Sequence, residues 1–88
     1  MNFSGAIIAG EFDHGSDAFI LQQVKQLSTT SSLNKDQFDA IYHYLIMNQD
    51  DSGGQVLSLN DQLLVRLSQE ELQEFIADLD RIKNIFWS

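Results

Sequence analysis

The chain has 88 residues, and its 13 acidic and 5 basic side chains give a formal charge of −8 and a pI near 4.3. That length predicts one domain over residues 1–88 with a single modest core, and no room for a deep, separately walled active site. The charge repels nucleic-acid phosphates and anionic membrane surfaces and attracts basic proteins, while the absence of cysteine excludes disulfides, thiolate metal sites and a cysteine nucleophile.

Gly5 and Gly10 bracket Ala6-Ile7-Ile8-Ala9, an apolar run that reads equally as a buried strand or as an N-terminal arm laid on the core. It lacks a preceding basic residue and is too short for a signal peptide or a membrane span, so a cytoplasmic location is expected. Glu11 to Asp17 has loop composition. Ser16 is predicted to cap a helix that begins at Asp17 and runs to about Leu27, with Ile20, Leu21, Val24 and Leu27 on its buried face. The polar run Ser28-Thr29-Thr30-Ser31-Ser32 then ends that helix.

A second helix is predicted from Lys35 to about Asn48. Asn34 and Gln37 have the spacing of a capping box, and Leu33 and Phe38 that of a hydrophobic staple. Phe38, Ile41, Tyr42 and Leu45 form its main stripe. Ala40, Tyr44, Ile46 and Met47 widen the apolar surface until only a strip around Asp36, Asp39 and His43 must face water, which makes this the most enclosed helix expected.

After the loop Gln49 to Gly54, the residues from Gln55 to Leu67 alternate apolar and polar, as in two short strands joined through Asn60-Asp61. A short helix from Asp61 to Leu67 is the rival reading. Ser68 with Glu71 then makes a second capping box, with Leu67 and Leu72 as its staple. From there Leu72, Phe75, Ile76, Leu79, Ile82 and Phe86 recur at helical steps, one stripe of a last helix. The expected fold is therefore α+β and mostly helical, three helices packed with a short β-hairpin, with an all-α small bundle as the alternative.

Few constellations carry chemistry. Asp13, His14 and Asp17 place an imidazole beside two carboxylates, yet match no ligand spacing, and a solvated loop explains them. Asp39 and His43 stand four apart on one helix without a third group to complete a catalytic set. The loop from Asn48 to Gly54 invites comparison with a calcium loop. With Gly53 at the obligatory glycine position, Asn48, Asp50 and Ser52 fall at ligand positions but the closing ligand is Leu59; with Gly54 there, the first ligand is Gln49 and the last is Asn60. No catalytic residue, metal site or cofactor is expected.

What remains is surface. Glu70, Glu71, Glu74, Asp78 and Asp80 are read on the outward side of the last helix, relieved only by Arg81 and Lys83, with Ile85 and Trp87 beside them. The functional expectation is a small acidic protein-binding module of the inhibitor, immunity, antitoxin or charge-mimic kind, acting on a basic protein through Glu70, Glu74 and Asp78 with Trp87 as an apolar anchor. Direct binding to nucleic acid or membrane is not expected. A metal- or calcium-binding domain and a structural subunit of a larger complex are the alternatives.

Overall fold

The computed structural model of the chain describes residues 1–51, 53–59 and 63–87. In chain order the elements are β1 (Asn2–Ser4), β2 (Ile8–Asp13), β3 (Ala18–Val24), β4 (Leu27–Asn34), α1 (Lys35–Met47), β5 (Gln55–Leu59), β6 (Leu63–Leu67) and α2 (Gln69–Phe86). The first four strands form an antiparallel sheet in the order β1-β2-β3-β4, and β5 and β6 form a two-stranded antiparallel sheet. Helix α2 packs on β2, β6 and α1, and α1 also packs on β4.

This is α+β, but the expected three helices with a short hairpin are overturned, as is the all-α alternative: among the described residues there are two helices, and six strands in two antiparallel sheets. Nor is the domain mostly helical, since strands hold more residues than helices do.

The difference lies in the stretch from Asp17 to Ser32. It forms not a helix with a polar terminator but the hairpin β3-β4, closed by a two-residue turn at Lys25 and Gln26 with Val24 opposite Leu27. Strand β3 carries an extra residue, Gln22, against the step from Ala9 to Gly10 in β2. This bulge shifts the inward-facing positions from Phe19 and Leu21 to Val24, a step of three that imitates helical spacing. A helix on the predicted stripe would have turned Phe19 away from the core. In the sheet Phe19 is fully buried, opposite Phe12 on one side and Leu33 on the other. Burying that ring is worth about 1.5–3 kcal/mol, enough to decide between two otherwise balanced local conformations. Asp17 is not a first helical residue either; it has φ of 52° and ends the β2–β3 turn, in which the Ser16 hydroxyl donates to Asp13.

Both predicted capping boxes form: Asn34 with Gln37 at the start of α1, and Ser68 with Glu71 at the start of α2. The α2 stripe also packs as read, with Leu72, Phe75, Ile76, Leu79 and Ile82 buried and Phe86 stacked on Phe12 at 4.5 Å between ring centroids. The hairpin reading of residues 55–67 matches β5 and β6, while Asn60 and Asp61, the proposed connection, lie outside the described residues. Gly54 opens β5 with φ of 77°, and a side chain there would strike the Leu67 carbonyl oxygen.

Helix α1 is less enclosed than expected. Phe38 and Leu45 are buried, but Ala40, Tyr44 and Met47 face outward.

Candidate functional site

Helix α2 was expected to carry the functional surface, and its side chains divide into three groups. Glu70 is exposed and Glu74 half-exposed, as an outward acidic row requires. Glu71 closes the capping box by accepting from the Ser68 backbone N–H at 2.9 Å, and pairs with the Lys25 ammonium at 2.9 Å. The Ser68 hydrogen bond and then the Lys25 one hold its carboxyl below the ordinary 4.5. Asp80 accepts from the Tyr42 hydroxyl at 2.7 Å, which pushes the Tyr42 phenol above its ordinary range, while the Lys83 ammonium lies 5.4 Å from the centre of the same ring.

Asp78 does not belong to the outward row. It is 1 % exposed, and its carboxylate accepts from the consecutive backbone N–H groups of Ala6 (3.0 Å), Ile7 (2.8 Å) and Ile8 (3.2 Å). Three aligned donors replace the water that a buried carboxylate loses, so Asp78 pins the β1–β2 connection to α2. The Arg81 guanidinium stands 3.8 Å from Asp78 and over the Phe3 ring, where it also serves the fold. The signal was faint but present: one helical turn separates Asp78 from Ile82, which puts it on the flank of the apolar stripe.

Trp87 is half-buried. Its ring meets Phe12 and Phe38 edge-on at 5.2 and 5.0 Å between centroids, and its indole N–H donates to Asp17 at 3.1 Å. It therefore folds back over the core. Ile85, by contrast, is exposed.

The remaining candidate chemistry falls apart in space. Asp13 accepts from the Ser16 hydroxyl and the Gly15 N–H, which hold its carboxyl below the ordinary 3.8, while His14 packs on the edge of Phe12 and Asp17 holds Trp87. No hydrogen bond or ion pair joins Asp39 to His43, whose ring leans on Tyr42. In the loop after α1, Asp51 accepts from the Gly53 N–H and the Gln55 amide, and the Asn48 side chain donates to the Tyr44 carbonyl. Ser52, a ligand position in one calcium frame, lies outside the described residues, as does Asn60, the closing ligand in the other. Among the described residues no three His, Cys, Asp or Glu side chains are grouped to hold a metal ion, and no helix is long and apolar enough to cross a membrane.

A groove of about 720 Å³ runs between α2, β6 and the turns of the large sheet, lined by Ile7, Lys25, Leu27, Arg66, Glu71 and Glu74 among others. Lys25 reaches across it to the Arg66 carbonyl and to Glu71. Glu74 thus lines a groove braced by the Lys25–Glu71 ion pair.

Comparison with protein-family models, with curated proteins and with solved structures found no match to this chain.

Proposed function

We propose that this chain is a non-enzymatic protein-binding module that engages a basic partner, as small acidic inhibitors, immunity proteins, antitoxins and nucleic-acid charge mimics do. One observation carries the reading: most carboxylates stay in water, while three of the five lysine and arginine side chains are engaged within the fold. Of the described acidic side chains Asp78 alone is buried, whereas Lys25 is tied to Glu71, Arg81 lies over Phe3 and Lys83 lies over Tyr42. The surface is therefore a largely uncompensated negative field that steers a basic protein toward it. Glu70 and Glu74 are the contact residues of α2. Asp78 and Trp87 act through the fold that presents them. A chain without cysteine suits the reducing cytoplasm.

The test is affinity capture from lysate at low and high salt with identification by mass spectrometry, followed by association kinetics with the purified partner. Glu70→Lys with Glu74→Lys is expected to slow association and flatten its salt dependence, with only a small drop in melting temperature because Glu70 stands in the first turn of α2. Association that ignores salt and tolerates both reversals would return the acidity to a solubility role.

A further inference from the structure

Tyr44 and Met47 project from α1, and Val56 and Leu64 from the β5–β6 hairpin, all four exposed. Between the two elements runs a groove of about 350 Å³, with Ala40, Ile41 and Tyr44 on one wall and Val56, Leu57 and Ser58 on the other. Consecutive residues of a strand point to opposite faces, so a groove that touches all three β5 residues runs along the edge of that strand. This edge has no strand beside it among the described residues, since β5 pairs with β6 alone. Its sequence, Gln55-Val56-Leu57-Ser58-Leu59, has neither the charges nor the proline that usually protect an open edge.

The charges around the groove select its occupant. Asp36 lies one helical turn before Ala40, and at the other end Gln55 links the Tyr44 hydroxyl (2.7 Å) to Asp51 (2.9 Å), with Asp50 adjacent. Lys35 and His43 are the bases on α1, and Arg66, across the hairpin from Val56, lines the larger groove with Glu71 and Glu74 and a smaller one with Asp51, Gln55 and Val56. A second copy of this chain would bring another eight negative charges to a surface already negative.

We propose that the open edge of β5 receives an extended segment of the basic partner as a third strand, its apolar side chains over Ala40, Tyr44 and Val56 and its basic ones toward Asp36 and Asp51. This rests on the reading of the chain as a binder of basic proteins, and adds where and in what conformation the partner is held. Main-chain pairing supplies the affinity, and alternation of apolar and basic side chains the specificity.

The probe is a capped heptapeptide of alternating lysine and valine, compared with a lysine–glycine peptide of equal charge and with a lysine–valine peptide N-methylated along one edge. Expected results are binding about tenfold tighter for the first than for either control, slowed exchange of β5 amide protons on binding, and about tenfold weaker binding by Val56→Lys or Ala40→Lys at an unchanged melting temperature. Both substituted positions are exposed, and either variant serves if the other fails to fold. Equal binding of all three peptides, or tolerance of both substitutions, would overturn strand addition here and leave the acidic reading standing. Failure of every peptide to bind at low salt would remove both. Sedimentation as a dimer with β5 amides protected in the absence of peptide would assign the edge to a second copy and overturn the proposal.

Discussion

The Asp78 carboxylate occupies the space that a side chain at Gly5 would fill, and from there it holds the N–H groups of Ala6, Ile7 and Ile8. A residue of the last helix thereby fixes the first turn of the chain, closing the molecule across a separation of about seventy residues.

Asp78→Ala strands three backbone donors at once and is expected to cost about 3–5 kcal/mol, and Gly5→Ala, which displaces the carboxylate, about 1–3 kcal/mol. Because the two substitutions damage one junction, the double variant should lose clearly less than their sum. Denaturant titrations of the three variants measure this coupling, and strict additivity would mean that the junction does not act as a unit.

Leu79 is 2 % exposed in the middle of the α2 stripe. Leu79→Ala is expected to open a cavity costing about 2–5 kcal/mol. A loss below about 1 kcal/mol in chemical denaturation would mean that the site collapses freely or that the stripe faces something other than this core.

Trp87 covers Phe12 and Phe38 and is tied to Asp17. Trp87→Ala is therefore expected to destabilise by about 1–3 kcal/mol, below the range for a fully buried tryptophan because the ring is half in solvent. A calorimetric melt identical to wild type, together with lost partner binding, would restore the anchor role read from the sequence.

Glu71 has a folded-state pKa below its ordinary 4.5, held there first by the Ser68 N–H and next by Lys25. A lowered carboxyl pKa contributes stability that is fully present above the unfolded value and is lost as pH falls through the folded one. Glu71→Gln keeps the capping box, since glutamine closes it equally well, but removes the titration. Melting temperatures recorded downward from pH 5 should fall less steeply in this variant than in wild type. Parallel acid limbs would show that Glu71 does not contribute to acid sensitivity.

Much of the second half of the fold was legible because its determinants are local. A capping box satisfies backbone donors within three residues, and the α2 stripe repeats over about four turns, so Ser68 to Phe86 needed no knowledge of the rest of the chain. The stretch from Asp17 to Ser32 was not legible, because the bulge at Gln22 gave a strand the apolar spacing of a helix, and the burial of Phe19 between Phe12 and Leu33 that resolves the choice depends on strands distant in sequence.

The candidate surface divides the same way. Glu70 is exposed and Glu74 half-exposed because helical geometry turns them away from the stripe, which the sequence determined by itself. Asp78 lies on the flank of that stripe, where helical geometry leaves a carboxylate free to face water or core. The tertiary structure decided for the core, because the Gly5 turn brings three N–H groups to it and so replaces its lost hydration. Trp87 and the outward side of α1 were settled likewise by what came to lie against them: the first lies over Phe12 and Phe38, while the β5 edge leaves a groove along the second.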